Sequence, residues 1–186
     1  MNTQQKTARR QGFTLVELLV VIAIIAILAS LGFTGFRSAI EAAKKASAKN
    51  HVVGLVQAID AYYDDYSQLP KEGTSYETNT SFMGILVGLD SYSSDNPKKT
   101  SFFNAAKAKG AGSNYRDGLR RTASIAELYD PWGELYHVEL DDDYDNKIAN
   151  PLSGGDSELY GVRSLAYSYG RDKAENGNDD VKSWEQ

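Results

Sequence analysis

From Phe13 to Phe36 nearly every residue is apolar or small, and the one formal charge in the run is Glu17. At a helical rise of about 1.5 Å per residue, this run is long enough to cross a hydrocarbon core of about 30 Å. Residues 1–12 ahead of it hold Lys6, Arg9 and Arg10 and no acid. The whole chain has 20 Lys+Arg against 25 Asp+Glu, net charge −5, so the part beyond the leader is more acidic still. Cations before a span and an acidic body after it orient the N-terminus to the cytoplasm and the body outward. The same polarity argues against nucleic acid as a partner, because phosphate binding needs cationic faces.

A carboxylate within an apolar helix costs roughly 2.5–3.5 kcal/mol at the bilayer centre and less near an end. A plain anchor has no use for that cost, and a secretory signal peptide has no reason to place glutamate near the start of its apolar run. If the chain is cut between Gly12 and Phe13, Phe13 gains a free amino group four residues before Glu17. Opposite charges can then meet between neighbouring helices in an apolar bundle, where each charge alone is unfavourable. The segment Gly12-Phe13-Thr14-Leu15-Val16-Glu17-Leu18-Leu19 resembles the N-terminal signal of type IV pilins and type II secretion pseudopilins. That resemblance implies leader cleavage by a prepilin peptidase after Gly12, N-methylation of Phe13, and an assembly role for Glu17. Many relatives have proline where Thr34 stands; here Gly32 and Gly35 are expected to loosen the helix instead.

The helix is expected to continue to Tyr66, about 80 Å by rise alone, with its first half in membrane or in a filament core. Ala42, Ala43, Ala46 and Ala48 favour helix, and Val52, Leu55, Val56, Ile59, Tyr62, Tyr63 and Tyr66 recur at three- and four-residue spacing. That stripe should lie on a sheet, and Pro70 ends the pattern. His51 reads as surface or packing. With no cysteine and the two histidines far apart in the chain, a transition-metal site is not expected.

The middle segment, 71–126, is less readable: a short helix over Ser81–Leu89, loops at Ser91–Pro97 and Lys109–Asp117, and Phe102 and Phe103 as buried anchors. Lys98, Lys99, Arg120 and Arg121 form no continuous basic face. Further on, Asp130-Pro131-Trp132-Gly133 reads as a turn into a strand over Leu135–Leu140, with Trp132 in the core. A second strand is expected at Ser164–Tyr169, antiparallel to the first.

Asp172, Asp179 and Asp180 then fall in a loop rich in glycine and asparagine. Folded back, their oxygens suit a hard cation; left open, they form a solvated acidic tail. Without cysteine no disulfide can staple this acidic head, and a metal is the obvious substitute. A second acidic run, Asp141-Asp142-Asp143-Tyr144-Asp145-Asn146, imitates the start of an EF-hand loop. It lacks that loop's glycine, with Asn146 at position six, and its glutamate, with Leu152 at position twelve. It reads as a hairpin or loop with weak cation character.

The Asp-Pro-Trp-Gly segment, Ser168-Tyr169-Gly170 with Asp172, and the closing Asp179-Asp180 and Trp184 resemble the major, G-type pseudopilin of type II secretion over about 13–70 and 128–186. That family implies calcium bound by Asp172, Asp179 and Asp180 and by the main-chain oxygen of Tyr169.

The expected fold is α+β: a long N-terminal helix packed on a small antiparallel head with a C-terminal cation loop. The parts are a leader (1–12), a membrane and assembly helix (13–36) and a periplasmic head (37–186). The expected function is structural, not enzymatic: a homopolymer in the periplasmic pseudopilus, anchored in the inner membrane. Its implied partners are the prepilin peptidase, minor pseudopilins and the inner-membrane secretion platform. A type IV pilus pilin is the nearest alternative, weakened by the missing cysteines. A membrane-anchored hydrolase or carbohydrate binder is the distant one, since no nucleophile, triad or paired carboxylates can be named.

Overall fold

The computed structural model describes residues 13–152 and 157–185, and for 30–35 the backbone only. The leader and Gly12 lie outside the described residues. Helix α1 runs from Leu15 to Tyr66 without a break, through Gly32 and Gly35. It ends where Ser67 turns left-handed at φ 56° and donates its N–H to Tyr63 O at 2.7 Å, a helix C-cap that Pro70 then keeps from continuing. The chain divides into two compact units, Met1–Ala42 and Ala43–Gln186. Among the described residues no helix is long and apolar enough to cross a membrane. The expected span, 13–36, includes 30–35, whose side chains lie outside the described set.

In the second unit α1 buries one stripe, with Ala48, Val52, Leu55, Ile59 and Tyr62 fully covered and Val56, Tyr63 and Tyr66 at its flanks. These side chains share a core with Val138, Leu140, Ala166 and Val181 of a four-stranded sheet. Its strands are β1 (Ser75–Glu77), β4 (His137–Leu140), β7 (Ser164–Ser168) and β8 (Val181–Lys182), in the order β1-β4-β7-β8. The two expected strands pair antiparallel as read, His137 opposite Tyr167 and Leu140 opposite Ser164. The fold is therefore α+β, a long N-terminal helix followed by small antiparallel sheets.

The middle segment has more structure than its sequence suggested. Asn79 caps α2 (Thr80–Leu86), its Oδ1 accepting from Ser81 N and Phe82 N, and α2 buries Phe82, Met83, Ile85 and Leu86. The helix stops short of the expected Leu89 because Gly88 turns left-handed at φ 67°. A Cβ there would meet Lys99 O at 2.5 Å, so glycine is required. Phe103 is buried as expected, whereas Phe102 is half-buried, packed against the edge of the core. Buried Asn96 donates to Ile85 O and Thr100 O and accepts from Thr100 N and the Tyr66 hydroxyl. It thereby ties the segment to α1 with its full hydrogen-bonding capacity met. Two further antiparallel pairs complete the head, β2 (Gly118–Arg121) with β3 (Ala126–Tyr129) and β5 (Lys147–Ala149) with β6 (Glu158–Tyr160).

Candidate assembly segment and cation loop

Phe13 is 86% exposed at the head of α1. Thr14 caps the helix: its C=O accepts Leu18 N–H at 3.3 Å and its Oγ1 accepts Glu17 N–H at 3.3 Å. In return Glu17 Oε2 accepts Thr14 N–H at 2.9 Å and Thr14 Oγ1–H at 2.8 Å. This reciprocal arrangement is a capping box, and its Thr-x-x-Glu signal was legible in the sequence. Around it the large apolar side chains from Leu15 to Leu28 are each 46–80% exposed. Glu17 thus stands in an apolar surface far larger than a lone soluble helix tolerates, with its carboxylate satisfied by its own chain.

In the head, Asp130 organises the C-terminal motifs. It is 1% exposed; Oδ1 accepts from Trp132, Gly133 and Glu134 N–H groups at 2.7–2.9 Å, and Oδ2 from Ser168 Oγ–H at 2.6 Å. The Asp-Pro-Trp-Gly turn is therefore fastened to the end of β7, where the loop begins. Burial pushes the Asp130 carboxyl up, and the Ser168 hydroxyl and these amides draw it back. Trp132 packs at the edge of the core rather than within it. His51 packs as read, its Nδ1 2.9 Å from Tyr136 Oη. His137 stacks on Tyr167, centroids 5.1 Å apart, and meets Tyr169 at a tilt with centroids 4.4 Å apart, while Trp184 meets Tyr167 edge-on.

The loop from Gly170 to Asp180 folds back on itself. Asp179 Oδ2 accepts Arg171 N–H at 2.5 Å and Asp172 N–H at 3.2 Å, while Asp172 Oδ1 accepts Ala174 N–H at 3.0 Å. Gly170, at φ 73°, lies so close to Asp179 that an added Cβ would sit 2.4 Å from its carbonyl oxygen. Asp180 Oδ1 is buried and has no hydrogen-bond partner. Burial pushes the Asp180 carboxyl up; Lys182 pulls it down, and the charges of Asp172 and Asp179 raise it further.

The three expected ligands thus share one closed loop, with Tyr169 at its start. Among the described residues, the carboxylates that gather one oxygen each within 4.8 Å of one another are those of Asp141, Asp143 and Asp145. There the positive partners are backbone amides and one lysine: Asp141 accepts from Asp145 N–H at 3.1 Å and Asn146 N–H at 2.9 Å, and Lys147 Nζ lies 3.5 Å from Asp145 Oδ2. Sequence reasoning missed the Thr14 cap, the Asp130–Ser168 link and Lys49, which reaches the C-terminal tail. The last two pairs are distant in the chain and left no local signal.

No curated protein and no solved structure matches the chain. Residues 7–33 match the prokaryotic N-terminal methylation motif. That motif indicates a type IV pilin-like or pseudopilin protein: a membrane-anchored precursor, processed by a prepilin peptidase and polymerised into a pilus-like filament.

Proposed function

We propose that this chain is a structural pseudopilin of type II protein secretion. After cleavage between Gly12 and Phe13 it polymerises through α1 into a short periplasmic filament, working with minor pseudopilins and the inner-membrane secretion platform. The observation that carries the choice over a pilus pilin is the C-terminal loop. The chain has no cysteine to close it; carboxylate-to-backbone bonds from Asp179 and Asp172 close it instead, and Asp180 Oδ1 is left without a partner.

A buried, unpartnered carboxylate oxygen beside two further aspartates fits calcium, which takes six to eight oxygens at about 2.3–2.6 Å. Asp172, Asp179, Asp180 and the Tyr169 carbonyl would hold it. Bound calcium supplies the positive charge that offsets their mutual repulsion. The chain's own contribution is to orient those oxygens, through Gly170 against Asp179 and through the Asp130–Ser168 bond at the start of the loop. No catalytic role is assigned to any residue.

The motif at 7–33 suits a pilus pilin equally, so the test separates the two by phenotype. Deleting the chain from its host should strand secreted proteins in the periplasm and leave surface fibres unchanged. Loss of surface fibres with normal secretion overturns the secretion role.

A further inference from the structure

Lys49 projects from α1 toward the C-terminal tail. Its Nζ donates to Lys182 O at 2.6 Å and also to Glu185 O. The rest of the tail is held by Val181 in the core, by Trp184 edge-on against Tyr167, and by a short ladder. Strand β8 has two residues, paired with Tyr167 and Ser168. Beyond it Ser183 donates its N–H to Ala166 O at 2.9 Å and accepts Ala166 N–H on Oγ at 3.0 Å. Lys182 turns its own Nζ to Glu185 Oε1 at 2.8 Å. The ammonium of Lys49 therefore makes two charge-assisted bonds to tail carbonyls, the stronger class of hydrogen bond.

The position of this clamp gives it a consequence for the loop. Asp180 directly precedes β8, so fixing the Lys182 carbonyl fixes the backbone that carries the Asp180 carboxylate. Lys45, Lys49, Asp180, Lys182 and Glu185 line one groove of about 330 Å³ beside α1. If the tail swings away, Asp180 goes with it and the loop loses its third aspartate.

We propose that Lys49 is the positioning residue of the cation loop, locking β8 and the tail onto α1 and so presetting Asp180 for calcium. This rests on the calcium reading above. Coupling between two such events is reciprocal: the clamp should strengthen calcium binding, and calcium should hold the tail down.

The test uses the full-length chain in detergent micelles, as wild type, Lys49→Met and Lys49→Arg. Calcium affinity is measured by titration calorimetry, and amide hydrogen exchange is followed over 181–185. Lys49→Met removes both charge-assisted bonds to the tail, so it should speed exchange of the tail and weaken calcium binding at least about ten-fold. Lys49→Arg, which keeps charge and donors, should restore most of both. Calcium should slow tail exchange in wild type more than in Lys49→Met. A merely structural lysine would lower the melting temperature and leave calcium affinity unchanged. That result, or unchanged tail exchange in Lys49→Met, overturns the positioning role. Failure of the wild type to bind calcium overturns instead the calcium reading, and the positioning role falls with it.

Discussion

The head of α1 and the C-terminal loop each hold a carboxylate, and they treat it in opposite ways. Glu17 has both its chain's donors, Thr14 N–H and Thr14 Oγ1–H, on one oxygen. Asp180 has a buried oxygen that no donor reaches. The first is self-sufficient in a single chain, so any further role must come from a competing partner such as a free amine on a neighbour. The second is incomplete within the chain, and an unmet buried acceptor costs about 1–3 kcal/mol, more when charged. One carboxylate is satisfied within its own chain, and the other keeps an acceptor open.

The largest expected effect tests the exchange. Glu17→Leu should leave membrane insertion and cleavage largely intact, because it removes a charge unfavourable in lipid, yet filament yield should fall at least about ten-fold. Mass spectrometry should still find a mature chain beginning at N-methylated Phe13. Wild-type filament yield would show that the carboxylate has no assembly role and would erase the contrast with Asp180.

Asp130 offers a saturated, buried carboxylate as a control for the loop. Asp130→Ala strands three amides and the Ser168 hydroxyl and should cost about 3 kcal/mol. For a domain of this size that is a fall in melting temperature of roughly 6–12 °C. Asp130→Asn keeps an acceptor for the amides and should cost less than half as much. Equal losses in the two variants would place the effect in the charge, not in the hydrogen bonds.

Calcium tests the incomplete site directly. At about 100 times its dissociation constant, calcium should stabilise the head by about 2.7 kcal/mol, since it binds the folded state alone. Magnesium should do much less, because it demands a tighter octahedron and releases water reluctantly. Asp179→Ala should abolish most of the shift and Asp143→Ala almost none. The reverse result would move the site to Asp141, Asp143 and Asp145, whose oxygens lie closer together but where Asp145 already pairs with Lys147.

The smallest effect concerns pH. Burial holds the His51 imidazole below its usual range, with Asp117 and Asp130 pulling it partly back. A depressed folded-state value gives stability that is complete above the ordinary histidine range, about 6.5, and is lost as pH falls through the folded value. The melting temperature should therefore drop between about pH 7 and pH 5. His51→Gln should flatten part of that slope, and His137, also depressed by burial, should account for more of it. An unchanged slope in His51→Gln would mean the imidazole is already solvated when folded.

Much of the fold was written in local pattern. The stripe from Val52 to Tyr66 recurs at helical spacing because it lies against one sheet, and Leu135–Leu140 and Ser164–Tyr169 carry enough β-formers to be read as strands. The 71–126 segment resisted because its order depends on single buried polar groups. Asn96 and Thr78 act as rivets whose partners, Tyr66 and Leu128, lie 30 and 50 residues away. Such residues look like ordinary loop polars until the chain closes around them.

The sequence by itself determined the N-terminal segment. An apolar run, one glutamate, a basic leader and Gly12-Phe13 are contiguous, and a contiguous signal needs no folding to be read. The Thr14–Glu17 cap belongs with them, because partners three residues apart on a helix must meet. Only the tertiary structure decided which C-terminal carboxylate keeps one oxygen without a partner, that Asp130 holds Ser168, and that Lys49 reaches the tail. Those depend on groups 38 and 133 residues apart arriving within hydrogen-bond distance. Such an outcome is fixed by how helix and sheet pack together, which local periodicity does not encode.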